Sequence, residues 1–357
     1  MNTSTASTLA SPDARHAWRL AAIALLAVRF VQGWIYWGGG TRRFIYAPSK
    51  LDPAGHWMAY KFQTAMPGAL LGTDHLVAWL LQHFTLLYVS VIVFSAVELI
   101  AGVMLITGLF TRIAAVATIC LSIVLMLLFG WQGATCIDEW TMAAANFAIG
   151  ITLFLAGGGA YSVDSWLAKR KPALAASGWF NWVGGAGLLP ISERAFKRLG
   201  LILFWIAVAF IVLTYNHYRG SVVTPFHGGP VSPSKHHWTL SQGQLSASGT
   251  VRFHAYVDAG TPAEPSNVLR ASLVSAGGQI VEEWDGMLLA RTPKQAFKND
   301  FAYQKIHTGK FGLTGAVGSQ AMIELRPVRS DLNLASGSYT LQLVSVNGHV
   351  WSLPLTR

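Results

Sequence analysis

Residues 86–130 read LLYVSVIVFSAVELIAGVMLITGLFTRIAAVATICLSIVLMLLFG. The stretch is mostly apolar: its only charged residues are Glu98 and Arg112, and LFT with Arg112 interrupts it near the middle. Each half has the length, about 20 residues, that crosses a bilayer as an α-helix. Two spans joined by so few residues form a tight helical hairpin. This places the first part of the chain in a membrane.

Working outward, further apolar runs at 18–38, 139–157 and 199–215 bring the expected number of spans to five. The run at 139–157 holds Asn146 and small residues, which suits a helix packed inside a bundle. Composition agrees. The 357 residues are 52% hydrophobic and only 12% charged, with mean hydropathy +0.41. Soluble domains carry about 25% charged residues. The 14 Trp fit membrane interfaces. The net charge of +10 occurs without any nucleic-acid motif, so nucleic acid is set aside as a partner. Cys120 and Cys136 would lie about 24 Å apart along a helix, too far for a disulfide.

Lys and Arg set the orientation. One side collects Arg15, Arg19, Arg112, Lys169, Arg170, Lys171, Arg194, Lys197 and Arg198; the other has Arg42, Arg43, Lys50 and Lys61. The richer side is expected in the cytoplasm. The polar residues 1–17 then form a cytoplasmic tail ahead of an uncleaved signal-anchor, and everything after 216 lies outside the cytoplasmic membrane. The long outer loop 39–85 mixes Trp, Phe and Leu with His and Lys, and reads as interfacial or re-entrant helices. The segment 169–198 reads as a basic cytoplasmic linker on the anionic inner leaflet.

From 216 the pattern changes. A Gly/Pro/Ser-rich linker leads into short alternating runs, and Asn347-Gly348 between two of them signals a hairpin. About seven strands are expected, in a small antiparallel β-sandwich. His227, His236 and His237 of the linker read as solvated side chains.

The candidate chemistry is in the helical part. GWIYWGGGTRRFIYAPSK, residues 33–50, ends an apolar run on three glycines and then places Arg42 and Arg43. Guanidinium forks match oxyanions, and glycines let backbone turn sharply. The helix is expected to stop at the glycines and form a basic, anion-binding turn. Arg29 lies about 13 Å below those glycines, and Glu98 about 18 Å into its own span. Charges at that depth usually pair or face a cavity, so Arg29 and Glu98 are expected to meet. Cys136, Asp138 and Glu139 lie at the same outer end as the arginines. No haem, flavin, zinc or phosphate-loop motif occurs.

ELIAGVMLITGLFTRIAA (98–115) and GGGAYSVDSWL (157–167) resemble the DoxX/DoxD family of four-helix membrane proteins. GWIYWGGGTRRFIYAPSKLDPAG resembles the DoxD subunit of thiosulfate:quinone oxidoreductase, and FAYQKIHTGKFGLTGAVGSQAMIEL (301–325) resembles DoxA. The chain thus resembles a DoxD–DoxA fusion: a DoxD-like bundle over 18–168, a fifth helix at 199–215, and an extracytoplasmic β domain over 216–357. The resemblance implies coupling of two thiosulfates to tetrathionate, with the electrons passed to membrane quinone as the acceptor. Thiosulfate is a dianion, so Arg29, Arg42, Arg43, Lys50 and Lys61 are the expected substrate-binding residues. Cys136, through a sulfur adduct, and Glu98 and Asp138, through proton transfer, are the expected catalytic ones. No metal is expected. A homo-oligomer or a respiratory complex remains open as the assembly. So do two other readings: a non-catalytic subunit anchoring the β domain, and an anion carrier.

Overall fold

The structure, a computed structural model, describes residues 12–55, 57–132, 138–223 and 235–357. The chain divides into two compact units. The first comprises Met1–Trp57, Tyr88–Met126 and Glu139–Asn216; the second comprises Met58–Leu87, Leu127–Asp138 and His217–Arg357.

Helices α1 (Pro12–Ala24) and α2 (Leu26–Thr41) meet at a bend of 45°. Two short helices follow, α3 (Met58–Ala65) and α4 (Thr73–Gln82). Then come α5 (Phe84–Thr107), α6 (Thr111–Phe129) and α7 (Asp138–Ala156). Short α8 (Val163–Arg170), α9 (Pro172–Ala176) and α10 (Gly178–Val183) precede the long α11 (Glu193–Arg219). Among the described residues four helices are long and apolar enough to cross a membrane: α5, α6, the Glu139–Ala156 part of α7, and α11. The bent pair His16–Ala24 and Leu26–Tyr46, which takes in α1, α2 and the turn after it, makes a fifth if it counts as one span.

The expected stop at Gly38–Gly40 does not occur. Helix α2 runs through all three glycines to Thr41 and continues as a π-helical turn, Arg42–Tyr46. Glycines of α2 and α5 serve close packing instead, although Gly38 itself faces open space. Gly33 lies on the backbone of Ile106, Gly102 on the backbone of Trp37, and Gly40 on Leu99. Any Cβ at these positions would overlap the facing helix, so α2 and α5 approach through small residues, as membrane helices commonly do.

Residues 158–187, which include the first part of the expected linker 169–198, are tied to the helix ends by hydrogen bonds. Arg112 is 1% exposed. Its guanidinium donates to the carbonyls of Phe154 (3.1 Å), Asn181 (2.9 Å), Gly184 (2.6 Å) and Gly187 (2.6 Å). Asp164, fully buried, accepts from the amides of Phe110, Thr111 and Gly185 at 2.7–3.1 Å. Buried charge is tolerated when it is saturated with hydrogen bonds. Arg112, counted above as a topology charge, is therefore a structural strut.

The C-terminal region is all-β. One sheet orders β1 (His237–Leu245), β2 (Val251–Ala259), β8 (Gln320–Leu325) and β5 (Phe297–Asn299). The other orders β10 (Val350–Thr356), β9 (Ser338–Ser345), β3 (Ser266–Ser275), β7 (Gly312–Gly315) and β6 (His307–Gly309), with β4 (Ile280–Trp284) also paired to β3. All pairs are antiparallel. In β10 alternate residues Trp351, Leu353 and Leu355 face the core, the period of a half-buried strand. The core gathers Trp238, Phe253, Leu273, Trp284, Ile323 and Leu343. The indole N–H groups of Trp238 and Trp284 donate to Ser266 Oγ (2.8 Å) and Arg326 O (2.6 Å), so burial leaves neither unpaired. A short helix, α12 (Gly286–Ala290), packs on this core through Leu289. The Asn347-Gly348 hairpin forms as expected, with Gly348 at φ +80°.

Candidate functional site

The π-helical turn after α2 widens the helix by one residue and sets Arg43 against α5. There its Nη1 pairs with Oε2 of Glu98. Both side chains are largely buried, at 16% and 14% exposure. Phe94, one turn before Glu98, lies 5.7 Å from the Arg43 guanidinium and covers it as a cation–π partner. A Cβ at Gly39 would overlap the Glu98 carboxylate. Gly39 thus clears a slot in α2 into which a carboxylate of α5 fits, Gly40 gives way to Leu99, and Gly38 faces open space.

The expected Arg29–Glu98 pair is not formed. Arg29 donates from Nη1 to Gly158 O and from Nη2 to Tyr161 O at 2.8 Å. The reason is register. Gly33 on Ile106 and Gly40 on Leu99 fix α2 and α5 antiparallel. That puts Glu98 at one end of the α2–α5 contact, beside Gly39, and Arg29 at the other, beside Gly108 just past the end of α5. Depth counted from hydropathy edges could not see this, because α2 extends beyond the apolar run.

Between these ends runs a set of buried polar groups that the sequence reading passed over. Tyr36 shares a hydrogen bond with Ser122 Oγ (3.0 Å) and donates to Thr118 O (3.1 Å). One turn earlier, Gln32 donates to the backbone carbonyl of Asn146 at 3.1 Å. The Oε1 of Gln32 is buried and has no partner among the described residues. The available signal was Gln32 and Tyr36 at helical spacing in an otherwise apolar run.

The other expected residues are not gathered here by the described contacts. Arg42 is exposed. Lys50 closes a short 3-10 turn, Pro48–Lys50, in the first unit. Lys61 is on α3 in the second unit, its Nζ 5.0 Å from the Phe129 ring centroid. Cys136 lies outside the described residues. Asp138 begins α7, and its side chain is likewise not described.

The profile of the family described as "TQO small subunit DoxD" matches residues 24–190, and that of "TQO small subunit DoxA" matches 218–353. This chain is a DoxD region and a DoxA region in tandem. Both are families of thiosulfate:quinone oxidoreductase small subunits, so the chain is tied to that activity at the family level. Among solved structures, one titled "Structure of Iho670 Flagellar-like Filament" aligns at 10% identity with a TM-score of 0.21, over 46% of this chain and 98% of that one.

All eight residues proposed from sequence fall in the DoxD region. The family boundary does not follow the compact units, however. Gln63 of the DoxD region is fully buried and clasps the DoxA region. Its Nε2 donates to Gln304 O (2.9 Å) and Gly318 O (3.0 Å), and its Oε1 accepts from Gln304 N (2.8 Å). Tyr60 meets Tyr303 edge-on at 6.1 Å. Gln132 and Trp131 donate to the carbonyls of Thr64 and Ala65, both at 2.9 Å, and hold α3 from behind.

Proposed function

We propose that the chain is a membrane thiosulfate:quinone oxidoreductase. Two thiosulfates join through a new S–S bond to give tetrathionate; the two electrons released reduce one quinone, which takes up two protons. The tandem of both small-subunit families in one chain carries this reading. The chemistry of the helical unit supports it. Two dianions repel, so their approach needs fixed positive charge. Arg43 supplies a guanidinium whose counter-charge, Glu98, is a group that can exchange protons. An incoming anion competes with Glu98 for Arg43, which leaves the carboxylate free to exchange a proton. Arg42, exposed beside it, adds a second cation. The quinone acts as the second substrate, reached from the lipid. Gln32, Tyr36 and Ser122 offer hydrogen-bonding groups in the otherwise apolar interior, and the unpartnered Gln32 Oε1 can accept from a hydroxyl. In this reading the arginine end faces the periplasm, the N-terminus lies inside, and Cys136 and Asp138 belong with the substrate end.

The test is quinone reduction by the purified, lipid-supplemented protein with thiosulfate as sole donor, tetrathionate being assayed in parallel. Stoichiometric appearance of both products supports the proposal. A folded protein that yields neither removes it and favours an anchoring subunit. Full turnover by Cys136→Ser would discard the adduct while leaving the overall reaction standing.

A further inference from the structure

The DoxA region has an open cleft of about 740 Å³ whose lining includes none of the eight residues proposed from sequence. It is lined by Lys294, Phe297, Asn299, Asp300, Lys305 and His307, among others. Lys294 and Lys305 are exposed, and neither has an ion-pair partner among the described residues. The one carboxylate in the lining, Asp300, is already engaged by His254 Nε2 at 2.8 Å.

The segment 300–306 that forms one wall has no regular secondary structure, yet its backbone is held at several points. Asn299 brackets Ile306, accepting from its amide (2.7 Å) and donating to its carbonyl (3.1 Å). Gln63 does the same to Gln304. The Asp300 amide donates to Gln320 O at 3.0 Å. Irregular loops fixed by side chains from other elements are a common way to hold a binding group in place. Here Lys305 on the fixed loop and Lys294 line the same cleft. Two unneutralised ammonium groups on one cleft attract a small, doubly charged anion in preference to a singly charged one.

We propose that this cleft binds a small divalent oxyanion of the class of sulfate and thiosulfate. The DoxA region would then hold an anion site of its own, separate from Arg42 and Arg43. Asp300 opposes the bound charge, and His254 moderates that opposition.

The experiment reads the two lysines directly. The full-length protein is labelled with an amine-acylating reagent in sulfate, in thiosulfate, and in chloride of equal ionic strength, and labelling at each lysine is quantified by mass spectrometry. Several-fold slower labelling of Lys294 and Lys305 in either divalent anion is expected, with Lys310 unchanged. Lys305→Gln should abolish the protection of Lys294. Asp300→Asn should lower the anion concentration that gives half-protection, an effect a purely structural Asp300 would not produce. Equal labelling in all three salts overturns the proposal, as does protection of Lys294 that survives Lys305→Gln. Turnover is not part of the readout, so a protein without oxidoreductase activity still decides the question.

Discussion

Arg43 and Glu98 show how strongly one residue's value depends on its neighbour. Each is mostly removed from water, so deleting either leaves a charge with little to replace its partner. Breaking a fully buried pair costs about 3–5 kcal/mol; with water still reaching both groups here, roughly 1–3 kcal/mol is expected. Arg43→Gln and Glu98→Gln should each lower thermal stability in detergent, and the double variant should lose less than the sum of the two. Additive losses would show that the pair is not coupled. The neighbouring glycines make a sharper comparison. A Cβ at Gly38 meets open space, whereas one at Gly39 overlaps the Glu98 carboxylate. Gly38→Ala should leave stability and turnover unchanged, and Gly39→Ala should reproduce the defect of Glu98→Gln; equal behaviour of the two would refute the packing role. His236, at the start of the β region, gives a pH prediction. Burial, outweighing Glu264, holds its ring below the usual histidine range. The unfolded chain therefore binds more protons than the fold in the window below about pH 6.5. The stability that the neutral ring permits is complete above that window and declines as pH falls through it. His236→Asn should flatten this slope in acid melts of the full chain.

The elements differ in how openly the sequence announces them. The apolar lengths of α5, α6 and α7 were read directly, because twenty apolar residues in a row have few other uses. The end of α2 was misread. Three glycines look like a stop in isolation, and only the facing Glu98 and Leu99 reveal them as a packing surface. Helix α11 begins at Glu193, six residues before its apolar run, since polar residues continue a helix without any hydropathic sign. Among the strands, β2, β3, β8, β9 and β10 alternate visibly. Strand β1 passes through SQGQ with a register shift between Ser241 and Gln244, and β5, β6 and β7 are only three or four residues long. These strands exist through pairing rather than pattern, so a single sequence conceals them. The candidate site was legible as residue types but not as pairs, because helix register is a property of two elements at once. Gln63 is the extreme case: its partners lie 241 and 255 residues away. Gln63→Ala would strip the Gln304 amide and two carbonyls of their partner, and each unsatisfied buried group costs about 1–3 kcal/mol. Hydrogen exchange should quicken over 300–306, while β2 and β9 keep their protection; unchanged exchange at Gln304 would mean that the clasp adds nothing.

At the scale of the whole chain, the family boundary and the physical boundary lie in different places. The DoxD match ends at 190, yet Met58–Leu87 and Leu127–Asp138 of the DoxD region share a compact unit with the β region. The cause is concrete. Gln63 satisfies backbone of the 300–318 segment, Tyr60 meets Tyr303, and Gly318, at φ +85°, lies so close to the backbone of Gln63 that a Cβ there would overlap it. The charge of Asp74 on α4 is also felt at Tyr256 on β2, whose hydroxyl is raised well above its usual range by burial first and then by Asp258 and Asp74. The β region is thus held by contacts far in sequence from the 224–234 segment that joins it to α11, and cutting that segment in the folded protein is expected to leave it attached. A protease site inserted within 224–234 tests this. After cleavage of the folded protein, a tag at the N-terminus should still recover residues 237–357 in detergent. The same experiment on Gln63→Ala combined with Tyr303→Ala should release a larger share of the β fragment. Complete release from the unsubstituted protein would show that the tether alone joins the two regions. Retention in both would place the holding contacts elsewhere in the second unit, in the Leu127–Gln132 segment or in α4. Retention that is lost only with the two substitutions would identify the clasp as what makes a DoxD loop and a DoxA domain one body.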